Sequence, residues 1–246
     1  MDQMKLYDIS EPFMEIINPL EVDQVIKLGE VLGLSESDRI IDFGCGCAKF
    51  LAIWAVEHGI SGTGIDIREY SVQRAKEILE REGVADRIEI VLADGKDQGV
   101  EDNSYDLAMC IGASFIWNGF RGTIQGMRDA IKPDGKLIIG EPYWRKVPVP
   151  EEYLKENPGF FTEIEILKAA REEGFDLEYM LRSSEQGWDN YEATNWLGLN
   201  HWLDINPDHP DRQQVTDWMR KNQEMYLEYG REYLGFAVYV FRPENE

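Results

Sequence analysis

Three short stretches hold the residues whose types and spacing can do chemistry. The first runs from Arg39 to Leu51, RIIDFGCGCAKFL. Ile40 and Ile41 have the branched, apolar character of a buried parallel strand, and Asp42 closes it with a carboxylate. Gly44 and Gly46 allow a turn so tight that backbone amides can approach a ligand with no Cβ in the way. From Ala48 the chain turns helical, with Phe50, Leu51, Trp54 and Ala55 spaced for one buried face. A strand, a glycine turn and a positive helix end together make a nucleotide-type site. The second stretch covers the acids that follow two later apolar runs, Asp66 in GISGTGIDIR and Asp94, next to Gly95, in RIEIVLADG. The third is Glu141, Tyr143 and Trp144, directly after KLIIG.

The turn fails the dinucleotide fingerprint, because GCGCAK puts Lys49 where GxGxxG needs its last glycine. A GxxxxGK[ST] phosphate loop is also missing from the sequence. Cys45 and Cys47 suggest a metal at first sight. With three cysteines and three histidines (His58, His201, His209), however, there is no second cysteine pair to complete such a site, and no disulfide framework.

The elements that must position these groups follow from the hydrophobic pattern. Residues 11–17 and 19–33 read as helices, the first capped by Ser10 ahead of Pro12 and the second opened by Pro19. Strands are expected at 39–42, 59–68, 87–94, within 103–113, and at 136–142; helices alternate with them, including 70–82 stopped by Gly83 and 121–131 ending in the turn KPDG. This alternation predicts right-handed βαβ units, a parallel sheet, and ligands at the carboxyl ends of its strands. After Pro142 the rhythm changes. The proline-rich segment 143–161 reads as a loop or lid, and 162–174 as a helix with a Thr162/Glu165 capping box. FDLEYMLRSS reads as a strand, 189–204 and 211–232 as helices broken by NPDHPD, and GFAVYVFRP as a terminal strand.

The formal net charge of −22 over 246 residues has no basic block to interrupt it, so polyanions are repelled across the whole surface. This argues against a nucleic-acid partner. Apolar runs fall short of the about 18 residues of a membrane span, and MDQMKLYDISEPF lacks a signal-peptide layout. The expectation is therefore a cytoplasmic protein that binds neither nucleic acid nor membrane, as a monomer or homodimer.

DFGCGCA, Asp66 at the end of the second strand, Ala93-Asp94 after the third, SYDLAMCIGA through the fourth and KPDGKLIIGEP into the fifth resemble class I S-adenosylmethionine-dependent methyltransferases. One departure is Ala48, which stands at the third glycine of that family's DxGxGxG. EPYW and WDNYE (Trp188 to Glu192) are similar to a small-molecule-type subgroup. The resemblance implies an α/β fold: a seven-stranded, mostly parallel Rossmann-like sheet with helices on both faces, an antiparallel last strand and a helical lid insertion. It implies one domain over 1–246, divided into N-terminal helices (1–35), a cofactor core (36–142), a loop, helix and sixth strand (143–184), a helical lid (185–233) and the last strand (234–242).

The implied cofactor is S-adenosylmethionine, with S-adenosylhomocysteine as product and no metal. Asp42 is matched to its ammonium, the amides near Gly44 and Gly46 to its carboxylate, and Asp66 to the two ribose hydroxyls. Ile67, Asp94 and Gly95 are placed around the adenine, and Ile111 and Gly112 beneath the cofactor. The implied reaction is in-line methyl transfer to a small-molecule acceptor, in which the enzyme aligns nucleophile, methyl and sulfur and excludes water. Glu141, Tyr143 and His201 are the candidate catalytic residues, and Trp144, Trp188, Tyr191 and Trp196 the candidate substrate contacts. A protein methyltransferase and a non-catalytic cofactor-binding interaction module are the alternatives.

Overall fold

The computed structural model describes residues 1–244, so the last two residues of the expected 1–246 span lie outside it. One sheet organises the chain. Its strands are β1 (Arg39–Phe43), β2 (Ser61–Asp66), β3 (Ile88–Leu92), β4 (Tyr105–Ile111), β5 (Ile131–Trp144), the two-residue β6 (Phe161–Thr162), β7 (Phe175–Arg182) and β8 (Leu234–Pro243). The spatial order is β3-β2-β1-β4-β5-β8-β7, with β6 on the outer end of β5. β1 to β5 run parallel and β8 lies antiparallel between β5 and β7. The strand order reverses between β1 and β4, which opens a crevice at their carboxyl ends. Both the Asp42 turn and Gly112 lie there.

Two helical layers cover the sheet. α2 (Val22–Leu32), α3 (Lys49–His58) and α4 (Glu69–Glu82) pack on one face with Ile40, Met109, Ile138, Trp144, Phe236 and Val238. α5 (Phe120–Met127) and α7 (Glu163–Glu172) pack on the other with Ile41, Phe43, Ile139, Tyr143, Ala237 and Tyr239. Strand side chains alternate between faces, so neighbours in sequence join different cores. The Thr162/Glu165 capping box opens α7 as expected.

The N-terminus departs from expectation. α1 is Gln3–Ser10, capped by Asp2, and the expected helix at 11–17 is irregular chain. Arg74 explains how that chain holds its shape: its guanidinium donates to the Glu11 and Met14 carbonyls at 2.9 and 2.6 Å. A tertiary cation thus satisfies carbonyls that a helix would have used. α2 starts at Val22, where Glu21 and Gln24 form the cap, and not at Pro19. KPDG is a bulge inside β5 and not the turn that ends a helix, since the pairing jumps from Tyr105↔Ile131 to Leu107↔Lys136.

Between β7 and β8 the chain builds α8 (Glu185–Ile205), α9 (Arg212–Met225), a π-helical turn (Tyr226–Gly230) and the short α10 (Arg231–Tyr233); α6 (Glu151–Glu156) follows β5. α8 lies on α1 and α9. Gly187 and Gly198 allow this approach, because a Cβ at either would run into the carbonyl of Pro19 or Ser10. The third apolar cluster, with Leu6, Ile9, Leu199, Leu203 and Val215, seals the α1–α8–α9 junction. No helix among the described residues is long and apolar enough to cross a membrane.

Candidate functional site

The glycine turn is anchored by β2. Gly44 and Cys45 both donate to the Ile65 carbonyl, at 2.8 and 3.0 Å, and Gly46 donates to Asp66 Oδ2 at 2.8 Å. The amides of Gly44 and Gly46 are therefore engaged inside the protein. Their glycines serve a different end: Gly44 has φ +74° and a Cβ there would meet the Ala113 side chain at 2.5 Å. Gly46 has φ +53° and lies under Ile17 of the N-terminal segment. Ala48 also takes a left-handed conformation, φ 53°, as the cap of α3, where the family pattern has glycine.

Two acids face this turn. Asp42 is buried on the α2–α3 side, and burial, with the nearby charge of Asp66, raises its pKa well above the usual carboxylate range. Asp66 is also buried; besides Gly46, it accepts the Arg68 amide at 2.8 Å. Arg68 sits 4.0 Å from Asp66, 3.5 Å from Asp8 and 2.8 Å from Glu11, so three acids share one guanidinium. The site is short of positive charge.

The remaining cofactor candidates ring the same crevice. Ile67 is exposed beside Asp66, ready to cover an aromatic base. Asp94 is exposed and turns back to accept the Lys96 amide at 3.0 Å, leaving its second oxygen for a ligand. Gly95 is buried against Phe43 and Ile116, and at Gly112, φ +75°, a Cβ would meet the Phe236 ring at 3.9 Å. Ile111 is the last residue of β4.

Sequence reasoning missed five contributors. Ile116 reaches both Gly44 and Gly95, and Ile17 covers Gly46. Glu11 and Arg68 clamp the N-terminal segment to the β2 end. Lys49 bridges Glu15 and Glu82, each at 2.9 Å, and so ties the same segment to α3 and α4. That role accounts for a lysine in the glycine motif.

The third stretch divides. Glu141 and Tyr143 point to the α5–α7 face, and Trp144 points to the face of Asp42 and α8. Strand alternation thus puts Glu141 and Tyr143, two of the catalytic candidates, on the face of the sheet opposite α8. Glu141 is 6% exposed, its Oε1 has no partner, and burial pushes its pKa up to about 7. Tyr143 packs beneath Gly235, and burial raises its phenol pKa. His201, the third catalytic candidate, is exposed on α8, edge-on to Phe13 at 5.4 Å.

Trp188, Tyr191 and Trp196 face inward on α8. Trp188 lies edge-on to Phe236 at 6.4 Å, and Phe236 in turn borders Gly112. Tyr226, from the π-helical turn, meets Trp188 at 6.3 Å and Trp196 at 6.0 Å. Trp144 contacts Tyr153 and Phe160 at 5.8 and 5.7 Å. A cleft of about 260 Å³ opens beside this group, lined by Arg145, Glu185, Trp188, Tyr226, Arg231 and Glu232. Trp202 and Trp218 turn the other way, into the α1–α9 junction.

A parallel sheet with this order, an acid-ended glycine turn at its switch point and an antiparallel eighth strand define the class I methyltransferase architecture. The comparisons agree. A family model described as "Methyltransferase domain" matches residues 41–139. A SAM-dependent methyltransferase from Geobacter sulfurreducens, solved with S-adenosyl-L-homocysteine, is 35% identical; the match covers 98% of each chain with a TM-score of 0.92. The uncharacterised protein YjhP of Escherichia coli is 34% identical over 245 residues, 98% of both chains. The 27-O-demethylrifamycin SV methyltransferase of Amycolatopsis mediterranei is 27% identical over 47% of this chain and 42% of its own length. The chain belongs to the class I S-adenosylmethionine-dependent methyltransferase family and is an enzyme of that activity.

The crevice fits this cofactor on its own chemistry. S-adenosylmethionine brings a sulfonium and an ammonium; Asp66 offers a buried carboxylate that Arg68 only partly offsets, and a cation beside Asp42 would favour the ionised form that burial disfavours.

Proposed function

We propose that the enzyme methylates a small molecule held between the cofactor crevice and the α8–α10 segment. The observation that carries this reading is the aromatic cover: Trp188, Tyr191 and Trp196 close over Trp144 and Phe236 on the face that Asp42 shares. Beside this cover, Trp188 and Tyr226 line a cleft of about 260 Å³, close to small-molecule size. The rifamycin relative, a 27-O-demethylrifamycin SV methyltransferase, is of the same kind.

Bound S-adenosylmethionine supplies an electrophilic methyl group. The chain's residues bind and shield. Asp42 takes the ammonium, Asp66 accepts from the ribose hydroxyls, and Asp94 with Gly95 and Ile67 surrounds the adenine, with Ile111 and Gly112 below. Trp144, Trp188, Tyr191 and Trp196 exclude water and orient the acceptor. The protein acts without nucleic acid or membrane, as a monomer or homodimer, in the cytoplasm.

Incubating the enzyme with metabolite extract and methyl-labelled cofactor tests this. Label is expected in low-mass products. Label confined to protein or nucleic acid, or retained on the cofactor, overturns the proposal.

A further inference from the structure

α8 presents Trp188, Glu192 and Trp196 at successive i, i+4 positions, so the carboxylate stands between two indoles on the inward face. Tyr226 closes this row by meeting both indoles, and Tyr191 flanks it. The charge of Glu192 is felt by three phenols: burial raises the pKa of Tyr153, Tyr191 and Tyr226, and the carboxylate adds to it in each. Glu192 itself has no hydrogen bond or ion pair among the described residues, although every arginine and lysine nearby is matched to another acid. Arg231 pairs with Asp189, Arg145 with Glu185 and Lys221 with Glu156.

Two further groups here lack partners. The indole N–H groups of Trp188 and Trp196 are both buried and unpaired. Glu192 is deeply enclosed by protein yet keeps accessible surface, as do Tyr191 and Trp196. The cleft of about 260 Å³ that Trp188 and Tyr226 line is the recess one helical turn from Glu192. Burial alone pushes Glu192 up to about 7, a cost that an apolar core would not retain and that a cation in the recess would remove.

We propose that this recess recognises an organic cation, so that the methyl acceptor carries an amine or ammonium group seated on Glu192 between the faces of Trp188, Trp196 and Tyr226. Aromatic faces present the negative side of their quadrupole, and a desolvated carboxylate adds a full charge. A neutral acceptor would leave that carboxylate unpaired in the complex. The acidic protein, at net charge −22, draws cations toward the opening. The inference rests on the small-molecule reading above and gives it a substrate class.

Choline and its uncharged isostere 3,3-dimethylbutan-1-ol have the same shape and differ in charge. Titrating each into the enzyme saturated with S-adenosylhomocysteine, by calorimetry and tryptophan fluorescence, reads the preference directly. Choline is expected to bind at least about tenfold tighter. Glu192→Gln, isosteric and free of the buried charge, is expected to reduce the preference below about threefold with S-adenosylhomocysteine affinity unchanged, and Glu192→Asp to keep it. Equal affinities, a preference for the alcohol, no binding of choline, or a preference that survives Glu192→Gln each overturns the proposal. Methylation of neutral small molecules alongside any of these sinks the cation inference and leaves the small-molecule reading intact. Absence of low-mass methylated products sinks that reading whatever the probes do.

Discussion

The crevice at β1 and β2 and the segment between β7 and β8 solve opposite problems. The crevice holds its shape through backbone: Gly44 and Cys45 hang from the Ile65 carbonyl and Gly46 from the Asp66 carboxylate. The α8–α10 segment holds its shape through side-chain bulk, with Trp188 touching Tyr191, Tyr226 and Phe236. A ligand common to a whole family can be met by backbone geometry that tolerates little change. An acceptor that differs between members is met by side chains, which can be exchanged without altering the sheet.

If the two regions are separable, Trp188→Ala gives the largest effect. Emptying that buried position is expected to cost about 3–5 kcal/mol of stability, with S-adenosylhomocysteine affinity of the folded fraction unchanged. Denaturant unfolding and calorimetry at low temperature check both halves. A tenfold loss of that affinity would show that the regions act as one.

The next effect sharpens the contrast between the two faces of the sheet. Glu141 keeps its proton to about pH 7 in the folded protein, against 4.5 ordinarily. Between these values the folded chain holds a proton that the unfolded chain has released, so stability falls as pH rises from about 4.5 to 7. Glu141→Gln removes this dependence. Relative to the variant, the wild type is expected to lose about 3 kcal/mol across that window in urea titrations. A stability difference that ignores pH would mean that Glu141 is solvated.

Within the crevice, the two aspartates should separate by burial. Asp66→Ala removes an acceptor shared by Gly46 and Arg68 and proposed above for the ribose, and is expected to weaken S-adenosylhomocysteine binding at least about tenfold. Asp94→Ala, at an exposed turn, is expected to cost only about twofold to fivefold. Isothermal calorimetry on both variants decides. Equal losses would show that exposure in the free enzyme says nothing about the weight of each contact.

The crevice was legible because its signals are local. Asp42, Gly44 and Gly46 lie within five residues of one another, and a strand end, a turn and a helix start are each set by neighbouring residues. The order of βαβ elements followed from periodicity, as did the Thr162/Glu165 box. Alternation along β5 was also in the sequence: Tyr143 and Trp144 are adjacent and so cannot share a face once Pro142 continues the strand. The sequence read as ending that strand at Pro142, and this hid the division.

The tertiary structure alone decided the rest, because those facts depend on groups distant in the chain. Residues 11–17 have helical composition but lose their helix to Arg74, a partner about sixty positions away that satisfies their carbonyls. Whether α8 turns Trp188 and Trp196 inward and His201 outward depends on what it packs against, namely α1, Ser10 and Pro19. Helical period gives a stripe of aromatics without saying which way it faces. The pairing of Arg68 with Asp8 and Glu11 likewise exists only once the N-terminal segment crosses the β2 end. Local geometry is encoded in neighbouring residues; the direction in which a side chain faces is encoded in everything packed around it.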